Sequence, residues 1–161
     1  NFFLAAAHAA ARLGCLPIVV LGRRAQPEDE TWLRRLPAGT PVRCLIAFDA
    51  VLPYLAAAIH HGGAGTTHAL VTSAVPQIVV PHAADQTYQG AGVVHSGIGY
   101  YMPPKNVTID SLEAALATLL PDLSEFRSRA RQVQAEFAAL GGAKAAADAI
   151  EQTARTGQPS R

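Results

Sequence analysis

The eight residues from position 60 to 67 read His-His-Gly-Gly-Ala-Gly-Thr-Thr and combine three residue types that bind anions. Glycines allow a ligand to approach the backbone closely. The first amides of a helix that follows such a run point outward, and the helix dipole favours an anion there by about 0.3–1 kcal/mol. Imidazole N–H groups from His60 or His61, and the hydroxyls of Thr66 and Thr67, would add further donors. The run therefore predicts a diphosphate site built without a lysine.

A second polar group, Asp85-Gln86, lies just beyond the apolar run Gln77–Val80 and starts the next helical segment. A carboxylate next to an amide offers acceptors and donors that match sugar hydroxyls. Ligands bind at the carboxyl ends of the strands in parallel sheets, so both groups should face one cleft. The alternative is that Asp85 only caps its helix.

Several common types of site are excluded around these residues. Cys44 to Pro104 contains no Lys or Arg, and its acids are Asp49 and Asp85. A phosphate-binding P-loop requires Gly-Lys-Ser/Thr, and the dinucleotide fingerprint requires G-x-G-x-x-G with a downstream acid; neither pattern is present. No H-E-x-x-H or C-x-x-C spacing predicts a metal site. A tight turn that needs glycine for its geometry alone remains the alternative to a ligand site.

Short continuous apolar runs alternate with helical segments along the chain. The strands are predicted at residues 16–21, 41–46, 56–59, 77–80 and 100–102. The helices are predicted at residues 2–13, 27–36, 66–73 and 84–96, followed by one capped by Asp110, a long amphipathic one through Phe126–Leu140, and an Ala-rich one after Gly141-Gly142. Continuous apolarity marks strands covered on both faces. The predicted fold is therefore α/β, a Rossmann-like three-layer parallel sheet flanked by helices.

The composition fits one globular domain of 161 residues, of which 50% are apolar and 16% charged. With 13 basic against 12 acidic residues, a nucleic-acid partner is not expected. No apolar run reaches the length of a membrane span. We expect a domain at residues 1–155 with a flexible tail at 156–161. Cys15 and Cys44 suggest small buried thiols in a reducing, cytoplasmic setting.

From about Val42 to Gly99 the sequence resembles the family 1 glycosyltransferases of the GT-B fold, specifically bacterial natural-product and sterol-type enzymes. The resemblance rests on Leu52-Pro53, the run 60–67, Val75-Pro76-Gln77, Val80-Pro81 and Asp85-Gln86, in that order. It implies the C-terminal, nucleotide-sugar-binding half of such an enzyme. The substrate would be a UDP- or dTDP-linked sugar, with no cofactor and no metal.

The resemblance also implies roles for particular residues. The diphosphate would be bound by His60, Gly62, Gly63, Gly65, Thr66 and Thr67. The nucleobase would contact Leu45, Ile46 and Phe48, with the backbone of Ile46 pairing to the base edge. The sugar hydroxyls would be bound by Asp85 and Gln86.

The family's acceptor-binding half, which supplies the catalytic base, has no counterpart in this chain, and neither does the first strand of the donor half. We therefore expect no catalytic residue here and no activity from this chain alone. The full-length protein would be an inverting glycosyltransferase that acts on a small lipophilic acceptor.

Four residues depart from the family pattern. Leu45 takes the place of a base-stacking Trp at the base site. Ala47 lies at the base site where Pro is frequent, Gln89 replaces an Asn, and Ala74 replaces a Gly before Val75-Pro76. These departures leave two alternatives open. One is a non-catalytic or degenerate nucleotide-sugar-binding module, and the other is a different GT-B enzyme, such as a lipid-glycan transferase or a UDP-sugar epimerase.

Overall fold

The computed structural model describes residues 1–83, 85–120 and 123–157. Its helices are α1 (Phe2–Arg12), α2 (Glu30–Leu33), α3 (Phe48–Val51), α4 (Ala64–Thr72), α5 (Gln86–His95), α6 (Ile109–Leu119), α7 (Leu123–Ala139) and α8 (Gly142–Thr156). Its strands are β1 (Val19–Val20), β2 (Val42–Arg43), β3 (Ala58–His60), β4 (Gln77–Val79) and β5 (Gly99–Tyr101). Short 3₁₀ turns span Pro27–Asp29, Leu52–Tyr54 and Pro104–Asn106.

All the described strand pairs are parallel. β1 pairs with β2, and β4 lies between β3 and β5 in a second group. Gln77 pairs with Ala58 on one side and with Gly99 on the other. The predicted α/β class with parallel strands is confirmed, although the described residues form the sheet in two parts.

Helices cover both faces of the central strand β4, because its side chains alternate between two cores. Ile78 is fully buried against α1 and α6, in a cluster that includes Leu112 and Leu116. Val79 points the other way, into a cluster with Val71 of α4, Val93 of α5 and Val133 of α7. The predicted three layers are therefore present around β4.

Helix α7 holds three neighbouring segments by their carbonyl groups. Arg127 donates to the oxygen of Leu55 over 2.6 Å, and Arg129 donates to that of Ser96 over 2.9 Å. Gln134 donates to the oxygen of Thr72, the last residue of α4. The last carbonyls of a helix have no partner within it, so these side chains complete the hydrogen bonding of α4 and α5.

The strands are shorter than predicted. Leu16 and Ile18 belong to the apolar run before β1 but are 69% and 40% exposed, and the strand pairing begins at Val19. An apolar run marks where a strand can form, whereas the number of paired residues depends on the partner strand. Cys44 is exposed, so its predicted burial was wrong, while Cys15 is partly buried.

The predicted cap of α6 was also wrong. Thr108 caps this helix, because its hydroxyl accepts from the amide of Ser111 over 3.0 Å while Ser111 accepts from the amide of Thr108. Asp110 instead lies in the first turn and pairs with Arg12 of α1 over 2.8 Å. The reciprocal bonds form a capping box, in which serine occupies the position usually taken by Glu or Gln.

Two predicted segment ends differ from the structure or lie outside its described part. Thr156, the first residue of the predicted tail, is the last residue of α8, and residues 158–161 lie outside the described part of the chain. Ala84, the predicted start of α5, also lies outside it. Among the described helices, none combines the length and apolar character needed to cross a bilayer.

Candidate functional site

The N-terminus of α4 presents unpaired amides beside an open surface. Gly63 caps the helix in an extended conformation, and no side chain accepts from the helix there. The first intrahelical bond runs from the Thr67 amide to the Gly63 oxygen over 2.9 Å, so the preceding amides have no acceptor within the helix. Gly65 is exposed, and a methyl group built there would meet none of the described atoms within 4 Å. An anion can therefore approach this turn closely.

The two adjacent histidines occupy different environments. His60 is 8% exposed, and both of its ring nitrogens are bonded: Nε2 to Gln77 and Nδ1 to the amide of Gly62. Burial lowers the pKa of His60 to about 4, although the Gln77 bond acts in the opposite direction. The ring is therefore neutral at physiological pH. His61 is exposed and its ring lies over Gly63, where a Cβ would come 2.6 Å from Nε2.

The two threonines also differ. Thr67 is 4% exposed and donates its hydroxyl to the Gly63 oxygen over 3.0 Å, so this group stabilises the first turn of α4 from inside. Thr66 is partly exposed on the same turn. Of the two threonines, Thr66 is the more exposed.

The loops that follow β3 and β4 meet at Gly62. This residue has a φ of 88°, in the left-handed region that favours glycine. A Cβ at Gly62 would lie 2.6 Å from Cγ1 of Val79 and 3.1 Å from the backbone oxygen of Gln86. The Gly-rich loop therefore packs directly against the start of α5, and the structure brings the two predicted motifs together.

The Asp85-Gln86 pair uses only part of its hydrogen-bonding capacity within the chain. The Oε1 atom of Gln86 accepts from the amides of His82 and Ala83, over 2.7 and 3.0 Å. This oxygen holds the loop before α5, which leaves the amide nitrogen of Gln86 as a donor. Asp85 is exposed at the N-terminus of α5, and its side chain makes no capping bond. The carboxylate does not serve the helix in the way that the capping alternative requires.

The predicted nucleobase segment follows β2. Leu45 is 72% exposed, whereas Ile46 and Phe48 pack against a cluster that contains Leu70 of α4. Ala47 accepts the first bonds of α3 through its oxygen, from Ala50 and Val51. Among the described residues, no backbone hydrogen bond uses the amide or carbonyl of Ile46, so the edge assigned to the base is available.

Sequence reasoning missed Gln77, which is fully buried at the start of β4. Its Oε1 lies 2.9 Å from Nε2 of His60, and its Nε2 donates to the oxygen of Thr67 over 3.4 Å. A polar residue at the start of an otherwise apolar strand was the available signal, because a buried amide is costly unless it is hydrogen-bonded. The described residues contain no group of three or more His, Cys, Asp or Glu side chains arranged to hold a metal ion.

A family model matches residues 8–152, and its description is the C-terminal domain of erythromycin biosynthesis protein CIII-like proteins. The chain is 47% identical over 96 residues to the glycosyltransferase GtfE of Amycolatopsis orientalis, which covers 60% of this chain and 23% of that protein. It is 31% identical over 134 residues to the NDP-glycosyltransferase YjiC of Bacillus subtilis, covering 83% of this chain and 33% of that one. The chain thus spans about a quarter to a third of these relatives.

Solved structures match the fold over most of the chain. The glycosyltransferase of kitacinnamycin superimposes with a TM-score of 0.80 at 30% identity, covering 94% of this chain and 38% of that one. The glycosyltransferase VinC, solved in complex with dTDP, gives a TM-score of 0.74 at 26% identity, covering 85% of this chain and 33% of that one.

Proposed function

Since the chain belongs to the erythromycin biosynthesis protein CIII-like C-terminal domain family, the C-terminal half of family 1 natural-product glycosyltransferases with the GT-B fold, we propose that it binds the donor sugar nucleotide through the turn that starts α4. The observation that carries the proposal is the open surface at Gly65, next to amides that lack acceptors within the helix. These groups bind the diphosphate by direct amide contacts.

The diphosphate in this proposal contacts the loop formed by Gly62, Gly63 and Gly65 and the hydroxyl of Thr66. Thr67 supports the turn through its bond to Gly63. His61 is the exposed imidazole next to this turn, while His60 acts from within the loop. No lysine or arginine takes part, so affinity depends on peptide dipoles.

The ends of the donor lie on either side of the diphosphate. Asp85 accepts from sugar hydroxyls, and Gln86 donates through its nitrogen because its oxygen is already bonded to the loop. The nucleobase pairs with the backbone of Ile46 and contacts Leu45, while Phe48 supports this segment from the side of α4. The base is thymine or uracil; VinC, a structural relative, was solved with dTDP.

We further propose that the full-length protein transfers the sugar with inversion to a small lipophilic natural product, without a metal ion. A relative 45% identical over 92 residues is named vancomycin aglycone glucosyltransferase. The catalytic base and the acceptor site belong to the other half of such an enzyme. This chain by itself is therefore expected to be inactive, because proton transfer to a positioned base contributes about 10²–10⁴-fold.

Calorimetric titration with TDP and UDP tests the donor site, with Gly65→Asp as the main variant. An acid in the first turn is favourable for the helix itself, but it repels the diphosphate, so we expect affinity to fall at least about ten-fold. Gly92→Asp is the matched control, because Gly92 is an exposed helical glycine with equally open surroundings on α5. If Gly65→Asp binds the nucleotides as tightly as Gly92→Asp does, the diphosphate binds elsewhere.

The same titrations, together with assays of sugar transfer, distinguish the proposed function from its alternatives. A folded wild-type protein that binds neither nucleotide would favour a degenerate module. Nucleotide binding without sugar transfer by the full-length protein, across a set of lipophilic aglycones with and without EDTA, would favour a non-catalytic module or another GT-B activity. The configuration of the new glycosidic bond, read by NMR, decides whether transfer inverts.

A further inference from the structure

Gln77 connects three elements of the site through its side-chain amide. It starts β4 and pairs with Ala58, so its side chain lies on the same face of the sheet as His60, two residues further along β3. Its oxygen lies 2.9 Å from Nε2 of His60, and its nitrogen donates to the Thr67 oxygen in the first turn of α4. Gln77 is fully buried, so water does not replace either bond.

The hydrogen bonds fix the ring tautomer of His60. The Gly62 amide can only donate, so Nδ1 of His60, 3.1 Å away, must accept. A neutral imidazole has one N–H, which therefore lies on Nε2 and donates to Gln77. The nitrogen of Gln77 faces the Thr67 carbonyl, which can only accept, and this sets the same orientation of the amide. Three bonds thus point in one direction, from Gly62 through His60 and Gln77 to Thr67.

This series of hydrogen bonds begins at Gly62 and ends at Thr67, which are the two ends of the loop that is proposed to bind the diphosphate. Gly62 holds the left-handed turn that packs on Val79 and Gln86. Thr67 closes the first turn of α4 through two bonds to the Gly63 oxygen, from its amide over 2.9 Å and its hydroxyl over 3.0 Å. One side chain from β4 therefore holds the loop at both ends.

We infer that Gln77 is a positioning residue for the donor diphosphate: by accepting from Nε2–H of His60 and donating to the Thr67 carbonyl, it holds the Gly62 turn and the start of α4 in the binding arrangement. The inference rests on the proposed donor-binding function. Gln77 does not touch the nucleotide, and its effect passes through His60 and the Thr67 carbonyl. This role explains why an amide occupies a fully buried position in an apolar strand.

Gln77→Met is the first test variant, because methionine fills a similar volume but makes neither hydrogen bond. Ile78→Met is the matched control: it changes the adjacent buried residue of β4, whose side chain packs on the opposite face against α1 and α6. Both are made in the protein at its full natural length, and thermal unfolding verifies that they fold. Two quantities are measured: the His60 tautomer by ¹⁵N NMR of histidine-labelled protein, and the affinity for TDP and UDP.

We expect wild type and Ile78→Met to show the Nε2–H form and equal nucleotide affinity. Gln77→Met should move the His60 Nε2 signal, because this N–H loses its acceptor, and should lower the affinity at least about ten-fold, because the Gly62 turn and α4 are no longer held together. An Nδ1–H ring in wild type, a Gln77→Met protein with an unchanged His60 Nε2 signal, or one that binds with wild-type affinity would overturn the inference. Wild-type protein that binds neither nucleotide would overturn the proposed function instead, and the His60 signals would still decide whether Gln77 accepts from the ring.

Gln77→Glu provides a second variant in case Gln77→Met does not fold. A carboxylate next to Nε2 favours the doubly protonated ring, in which Nδ1 also becomes a donor and can no longer accept from Gly62. The titratable neighbour that opposes this charge is His61. We expect nucleotide affinity relative to wild type to fall as the pH is lowered from 8.5 to 6.5, together with appearance of the imidazolium signal. A pH-independent ratio would contradict the inference.

Discussion

Two neighbouring histidines with the same chemistry are separated by the alternation of a strand. His60, the last residue of β3, points into the protein toward Gln77, whereas His61 leaves the strand and is exposed beside Gly63. Both residues sit in a run that predicts anion binding, and the run alone gives no reason to prefer either. The distinction follows from the register that puts His60 on the same face of the sheet as Gln77, since successive side chains point to opposite faces.

The buried ring of His60 makes stability depend on pH in a defined window. Its pKa is about 4 in the folded protein, while an unfolded histidine titrates near 6.5. Between these values the unfolded chain binds one more proton, so stability is fully present above about 6.5 and is lost as the pH falls toward 4. The loss should total roughly 2–4 kcal/mol, since one pKa unit corresponds to about 1.36 kcal/mol.

Urea denaturation at a series of pH values between 7.5 and 4 measures this effect. The free energy of unfolding should decrease with a slope of about one proton in wild type, and His60→Asn should remove that share of the slope. An equal slope in both proteins would mean that His60 titrates alike in the folded and unfolded states. Asp29 adds to the decrease only at the acid end of this window, below about pH 5, because its Arg23 partner and the Gln26 amide lower the pKa of its carboxyl in the folded protein.

The contacts of α7 predict which of its arginines contributes to the free energy of unfolding. Arg129 donates to the oxygen of Ser96, the residue that ends α5, and its side chain also packs beside Gly97. Arg129→Ala should lower the free energy of unfolding by about 1–2 kcal/mol, because a carbonyl at a helix end loses a charged donor. Arg131, exposed two residues further along the same helix, provides the control variant Arg131→Ala.

Urea denaturation of both arginine variants measures the difference. A neutral Arg131→Ala would assign the loss in Arg129→Ala to the contacts of Arg129, because both substitutions remove one positive charge from α7. These contacts are those with Ser96, Gln132 and Glu136. A similar loss in both variants would indicate that helix charge or propensity dominates instead.

The nature and order of the elements could be predicted from the sequence, and several of their ends could not. Apolar runs located every described strand, but Leu16 and Ile18 extended the predicted β1 beyond its two paired residues. The α6 cap was assigned to Asp110 because Thr108 and Ser111 form a less common pair. Ala74, which replaces a glycine usual in the family, adopts a φ of 52°, and this left-handed conformation gives the physical reason for that preference.

The location of the candidate site could be predicted from the sequence, but most of its hydrogen bonds could not. The carboxyl ends of neighbouring parallel strands lie at the same edge of a sheet, so the sequence was enough to predict that the loops after β3 and β4 meet. The sequence does not show which polar groups already have hydrogen-bond partners within the protein. The Gln86 oxygen is bonded to the amides of His82 and Ala83, the Thr67 hydroxyl points inward, and Gln77 is buried. These contacts depend on the register that pairs Ala58 with Gln77.

At the scale of the whole molecule, stability and binding are located in different places. The two main clusters lie on opposite faces of β4 and hold α1 and α6 on one side and α4, α5 and α7 on the other. The residues proposed for the donor follow the ends of β2, β3 and β4 and lie at the border of these cores. The exposed residues among them, such as Gly65 and Asp85, can therefore vary in chemistry while the layers beneath them keep their packing.

Helix α8 has a further consequence for work with this chain. None of its residues is buried, and it begins at Gly141 and Gly142, two glycines with φ values of 75° and 54°. Its internal Lys144–Asp148 and Glu151–Arg155 pairs lie on the solvent side and tie it only to itself. Shortening the polypeptide at this glycine junction would leave the layers around β4 intact, which makes it the natural point for a truncation or for attaching a reporter.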